Sequence, residues 1–372
     1  MFLLYIFCLL PILVGLILVF VTNGEVSWKE WLIGAGCSFI VAGSIHYYSF
    51  HSQVGDYETW SGKITQAVFV PKWHEYYEEA IYKTEYYYSG TGKNRTRHSR
   101  QVFSHWSPRS RWHSASWIAY SNINTSYDIT QQKYEYFVKK FGNELKERGD
   151  RTTMEHNSRM ISGDPYDYKT YLKDGFVEPI TDVRYFENRI KATPSVFNFV
   201  KVGDNIPIFP YPENKNPWIS NRVMGITFKT ISTRLWDEMC ARVGPIKRVN
   251  VIIVGFDSRE TMMAEWQKAK WLGGKKNDLV LTYGPKWAKV FGWSESDICK
   301  KNIESILLQN TINNDIIPLI EKEIYDNYKK REFTEDFAYL QVEPSSKSWI
   351  LFIFLMIITQ ALLYVGFHHT DL

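Results

Sequence analysis

At 372 residues the chain has room for one or two domains, and 44 Lys+Arg against 40 Asp+Glu leave a formal net charge of +4, too mild alone to argue for a nucleic-acid partner. Cys8 and Cys37 fall in apolar runs, so only Cys240 and Cys299 stand in the polar part of the chain. That excludes a disulfide framework and a Cys-rich metal site, and leaves open whether those two pair.

Charge is unevenly spread. Residues 2–22, "FLLYIFCLLPILVGLILVFVT", are uncharged and apolar. A second run covers 31–48 and a third covers 349–367, each about 20 residues, long enough as a helix to cross an apolar core of about 30 Å. The first lacks the basic start of a signal peptide and is followed at once by the second. Trp28, Trp31, Tyr47, Tyr48, Trp349 and Tyr364 sit at interfacial depths for such spans. The expectation is an integral membrane protein with three transmembrane helices: a hairpin over 2–48 and a single span over 349–367.

Residues 50–130 are dense in aromatic and basic residues. "GKITQAVFV", "AIYKTEYYY", "RQVFSHW" and "ASWIAY" alternate as strands do. Between the second and third lies "SGTGKN", which superficially resembles a phosphate-binding loop. A Walker-type loop needs glycine where Tyr87 stands and Ser or Thr where Asn94 stands, so the segment reads as a hairpin tip. Around it Lys93, Arg95, Arg97, Arg100, Arg109 and Arg111 stand beside Trp106 and Trp112, a candidate binding rim for anions or lipid headgroups. His74, His98, His105 and His113 match no zinc spacing.

Residues 131–248 form a mixed connecting region. "YEYFVKKFGNELKER" (134–148) has helical spacing, a Pro-rich stretch follows at 202–218, and "STRLWDEMCARVG" reads as a helix ending at Gly244. Residues 249–345 give a clearer pattern. "VNVIIVGF" is a buried strand, "SRETMMAEWQKAKWLGG" a helix with Ser258 as N-cap, and "DLVLTYG" and "WAKVFGW" are two further strands. "SESDICKKNIESILLQN", with a capping box from Ser294 to Asp297, and "IIPLIEKEIYDNYKK" are two closing helices. The fold class expected is α+β with a C-terminal α/β layer domain.

The segment "AEWQKAKWLGGKKNDLVLTYG" followed by "WAKVFGW" resembles the TPM-domain family, through Trp271, Gly273, Asn277, Leu279–Leu281 and Val290–Gly292. More of the chain resembles a group of membrane proteins encoded by tailed bacteriophages, through "DYETWSGKIT" (56–65), "SGTGKNR" (89–95), "GDP" (163–165) and "YFENRIKATP". Where that group is Cys- and His-rich around the turn, this chain has no cysteine, so no metal is expected there. The TPM resemblance implies an α/β domain, commonly extracytoplasmic, sometimes with phosphatase activity and calcium. It points to Asp257, Asn277 and Asp278 as candidate catalytic residues, although Lys275 and Lys276 beside the turn would oppose a cation.

The reading preferred is a membrane-tethered binding or scaffold protein without a catalytic motif, phage-encoded and placed in the host inner membrane. Its partners would be the lipid bilayer and a membrane or envelope protein, with no nucleic acid. The alternatives are a membrane-bound, phosphatase-like hydrolase and a binder of anionic lipid headgroups.

Overall fold

The computed structural model describes residues 28–90, 95–151, 160–173, 175–214 and 216–370. The chain divides into two compact units. One takes residues up to Ser61 together with Thr181 onward, and the other takes Gly62–Ile180.

The first unit begins with helix α1 (Trp28–Val54) and ends with helix α9 (Ser346–Thr370), which occupy the second and third apolar runs. The first run lies outside the described residues. Among the described residues no helix is long and apolar enough to cross a membrane. This corrects the expectation of three spans and the integral-membrane assignment drawn from it. The physical reason lies in the polar content of α1, where Gly34, Gly36, Ser38, Gly43, Ser44 and His46 interrupt the apolar residues. Gln360 of α9 donates from Nε2 to the Ser38 hydroxyl at 2.9 Å and to the Gly34 carbonyl at 3.2 Å. The apolar side chains Ala42, Ile45, Phe352 and Met356 pack the two helices on one another.

Strand β1 (Gly55–Val70) follows α1 directly and runs from the first unit into the second. The second unit continues with β2 (Trp73–Ser89), β3 (Thr96–His113), β4 (Ser116–Ser121), β5 (Ser126–Asp128), α2 (Gln131–Phe141), β6 (Glu144–Arg148), β7 (Met160–Gly163) and β8 (Tyr166–Tyr171). One sheet has the order β5-β4-β1-β8-β6, with β9 (Pro179–Glu187) also paired to β1. Helix α2 buries Tyr134, Phe137 and Phe141, spaced three and four residues apart on one face. Phe69 of β1 stacks on Trp117 at 5.3 Å and on Tyr168 at 5.7 Å. The helix expected through Arg148 stops at Phe141. Gly142 adopts the left-handed conformation at φ 67° and returns its N–H to the Val138 carbonyl. Glu144–Arg148 then pairs antiparallel with β8 instead. The other sheet of this unit has the order β3-β2-β7.

After a short helix α3 (Arg189–Ala192), the first unit builds a four-stranded sheet in the order β10-β11-β12-β13. Its elements in chain order are β10 (Val223–Gly225), α4 (Thr233–Lys247), β11 (Asn250–Gly255), α5 (Met262–Lys270), β12 (Asp278–Gly284), β13 (Trp287–Phe291), α6 (Asp297–Gln309), α7 (Ile316–Asn327) and α8 (Phe333–Asp336). The first three strands are parallel and β13 is antiparallel. Alternation assigns the two faces. Val251, Ile253, Leu279 and Leu281 pack with Trp236, Ile303 and Ile320 of α4, α6 and α7. Ile252, Val254 and Val280 pack with Met263, Ala264 and Trp271 on the α5 side. Helices on both faces explain why these strands read as continuous apolar runs. The order of strand, helix, two strands and two helices over 249–327 is the one expected. The edge strand β10 was not foreseen, being three residues long.

Helix α4 continues past the expected stop at Gly244 to Lys247. Gly244 serves close packing instead. A Cβ there would come within 2.0 Å of the Ser61 carbonyl oxygen, so its absence lets α4 press against the early part of β1. The left-handed residue that ends the helix is Arg248. Ser258 does not cap α5, which begins after Thr261, and α6 begins after Ser296 with no side-chain cap.

Candidate functional site

Asp278, a carboxylate to which the TPM resemblance points, lies inside a hydrogen-bonded core. It opens β12 and is fully buried. It accepts from Asn250 Nδ2 at 2.8 Å, from the Tyr211 hydroxyl at 2.9 Å and from the Lys275 N–H at 2.7 Å. Asn250 in turn accepts from Arg222 Nε at 2.6 Å, and Arg222 reaches Thr181 Oγ1 and Asp237 at 3.3 and 3.5 Å. Burial pushes the Asp278 carboxyl above its ordinary value, against the hydrogen bonds from Lys275, Asn250 and Tyr211. Asp237 is raised by burial too, with Arg222 opposing.

Around this core the Asp-Tyr-Glu start of β1 grips the Gly-Gly-Lys-Lys-Asn-Asp turn. Lys275 pairs with Asp56, Lys276 with Glu58 at 2.8 Å, and Lys330 with Glu58 at 3.2 Å. Asn188 donates to Asp56 at 2.7 Å. Burial holds the Lys330 ammonium below its usual range even with Glu58 beside it. Asn277 donates to the Thr59 carbonyl at 2.8 Å and the Arg248 carbonyl at 3.1 Å. The two lysines that would oppose a cation are therefore neutralised by carboxylates 218 or more positions earlier in the chain. Asp56 and Glu58 were not nominated from sequence. Their two-residue spacing on one strand face was the available signal.

The structure does not bring the candidate catalytic residues together. Asn277 and Asp278 lie at the N-terminal end of the parallel strands, in register with Asn250. Asp257 is exposed beyond the C-terminal end of β11. At about 3.3 Å per residue the two carboxylates are roughly 20 Å apart. Among the described residues no group of three His, Cys, Asp or Glu is placed to hold a metal ion. Cys240 and Cys299 are free and buried, and burial pushes each thiol up to about 12.

The basic, aromatic rim has a different geometry. Strands β2 and β3 pair along their whole length, from Trp73 with His113 to Ser89 with Thr96. Strand β7 covers β2 only from Trp73 to Tyr76. Beyond Tyr76 the two strands form an arm whose outer edges have no strand partner among the described residues. At its base Trp73 stacks on His113 at 3.8 Å, His74 stacks on Trp112 at 4.1 Å, and His113 meets Glu75 at 2.8 Å.

Opposed residues of an antiparallel pair share a face, and successive residues alternate. The extra residue Ser104 keeps that alternation in step across the register shift at Ile81 and Tyr82. One face then carries Glu75, Glu79, Lys83, Glu85, Arg100, Arg109 and Arg111. Its charges are tied by pairs such as Arg109 with Glu79 at 2.8 Å and Arg100 with Glu85 at 3.3 Å. The other face carries Tyr76, Tyr82, Tyr86, Tyr88, Phe103, Trp106 and Trp112, with Glu78 and Arg97 as its charges. These rings are 37% to 68% exposed. Phe103 contacts Trp106 at 5.4 Å and Tyr82 at 6.1 Å, so they form a ladder, open to water along its length.

Near the tip Arg97 lies over Tyr86 at 3.7 Å and Arg95 over Tyr88 at 4.5 Å. Lys93 lies outside the described residues. The sequence-predicted rim thus splits: Arg100, Arg109 and Arg111 belong to the charged face, and Arg97, Trp106 and Trp112 to the aromatic one. The tyrosines of that face escaped sequence reasoning, though their even-numbered positions in β2 were the signal.

No protein-family model, no curated protein and no solved structure matches the chain.

Proposed function

We propose that the chain is a non-catalytic binding or scaffold protein that engages another protein through the aromatic face of the β2–β3 arm. The observation that carries the proposal is the ladder of exposed Tyr, Phe and Trp side chains on one face of the ribbon. Leaving such rings in water forgoes about 25 cal/mol per Å² of burial. Tyr, Trp and Arg are also the residues that carry most binding energy at protein interfaces. The charges of the opposite face are matched within the arm, which directs contact to the aromatic side. The phage-encoded origin suggested by the resemblance belongs with this proposal. A hydrolase reading draws no support from Asp257 and Asp278, which stand at opposite ends of the sheet.

The test is site-specific photo-crosslinking in cells that make the protein in its native setting. A photoreactive phenylalanine replaces Tyr82 or Trp106 on the aromatic face, and Lys83 or Glu85 on the charged face as controls. A discrete protein adduct is expected from the first two positions, lost when Phe103→Ala and Tyr86→Ala are added. No adduct, or equal labelling from both faces, would overturn the proposal. An adduct of twice the chain mass would identify the partner as a second copy.

A further inference from the structure

A cavity of about 660 Å³ opens in the first unit between the N-terminal turn of α6 and the segment after α3. Its aromatic wall is Phe197, Phe199, Phe291 and Trp293. Trp293 is fixed in place: its Nε1 donates to the Leu272 and Gly274 carbonyls, both at 3.2 Å, and Phe197 meets it edge-on at 5.3 Å. A rigid indole wall needs no rearrangement to receive a flat apolar group.

The polar wall has an unused donor. Ser294 lines the cavity, is only 4% exposed, and its hydroxyl has no hydrogen-bond partner among the described residues. A buried hydroxyl without a partner costs free energy that a ligand oxygen would recover. Sequence spacing offers Ser294 as part of a capping box, but α6 starts at Asp297 and no side chain caps its first turn. The hydroxyl of Ser296, the N-cap residue, instead donates to the Asn327 carbonyl. The 13-residue helix therefore has no side-chain cap on its first-turn N–H groups, although the Asp297 carboxylate stands in that turn.

The lining charges are nearly balanced, so the call for an acceptor comes from Ser294 and the head of α6. Lys268, Lys300, Lys301 and Arg331 line the cavity with Glu295, Asp297 and Glu304. Carboxylates and cations are paired on both sides: Glu295 with Lys329 at 2.6 Å, Asp297 with Lys300 at 3.0 Å, Glu304 with Lys301 at 2.8 Å, Lys268 with Glu265 at 3.9 Å and Arg331 with Asp336 at 3.1 Å. Lys300 is held beside the serine, its Nζ donating to the Ser294 carbonyl at 3.0 Å.

We infer that this cavity is a binding site for a small aromatic anion. Its phosphate or carboxylate would accept from Ser294 and Lys300 at the head of α6, and its ring would lie against Trp293 and Phe199. Binding here does not depend on whether the arm engages a protein.

Phenyl phosphate, inorganic phosphate and benzyl alcohol serve as probes, titrated into the full chain by calorimetry. Phenyl phosphate should bind saturably and more tightly than either fragment. Ser294→Ala should weaken it by about ten-fold, the loss of one hydrogen bond to a charged group, while the melting temperature of the ligand-free protein holds or rises. Phe199→Ala should weaken phenyl phosphate while leaving inorganic phosphate unaffected. No saturable binding of phenyl phosphate at millimolar concentration, or unchanged affinity in Ser294→Ala, overturns the inference. If Ser294→Ala does not fold, unchanged affinity in Phe199→Ala overturns it in the same way.

Discussion

Asp278 shows how a nominated catalytic residue becomes a structural one. Its carboxylate is engaged by three donors and sealed from solvent, so it has no open face for substrate. Asp278→Ala would leave Asn250 Nδ2 and the Lys275 N–H without an acceptor, and is expected to cost about 3 kcal/mol in urea denaturation. Because burial raises the folded carboxyl above 3.8, its contribution has a definite sign. It is fully present below the unfolded value and is lost as pH rises through the folded one. Asp278→Asn removes this titration. Wild-type stability should therefore rise relative to Asp278→Asn on acidification from neutral toward pH 4, and parallel curves for the two would show that the carboxyl does not titrate as described. Sequence alone placed Asp278 at the start of a strand but could not show that Tyr211, Asn250 and Arg222, far apart in the chain, converge on it.

At the scale of elements, alternation was legible wherever one strand face differs from the other or a strand is buried on both. The strands β4 and β11 to β13 fall where the pattern places them, and β1, β2 and β3 include the expected segments but run well beyond them. Helix ends were less legible, since the residue that stops a helix is chosen by tertiary contact. Gly142 ends α2 because β8 offers Glu144–Arg148 a partner, whereas Gly244 permits close approach to Ser61 and α4 runs on. Apolar length misled for α1 and α9, where Ser38 and Gln360 meet within the apolar runs. The arm makes an element-scale prediction. Tyr82→Ala and Trp106→Ala, at exposed positions, should each change stability by no more than about 0.5 kcal/mol. Phe137→Ala, in the buried face of α2, should cost about 3–5 kcal/mol. Comparable losses at all three positions would mean that the arm's rings belong to the core.

For the whole molecule, two segments far apart in the chain turn out to be one device. The Asp-Tyr-Glu start of β1 and the Lys-Lys turn before β12 close on each other, holding the entry of β1 to the N-terminal end of β12. Breaking such a pair strands a buried charge, which makes it a lock rather than a catalytic centre. The buried charges hold the fold, and the proposed contact with a protein partner rests on the exposed rings of the arm. That claim is tested most directly by hydroxyl-radical footprinting of the protein inside its native cells and after purification. Tyr82, Phe103 and Trp106 should be oxidised in the purified protein and protected in cells, while Tyr87 on the charged face reacts alike in both. Equal oxidation of the aromatic face in the two settings would contradict the account.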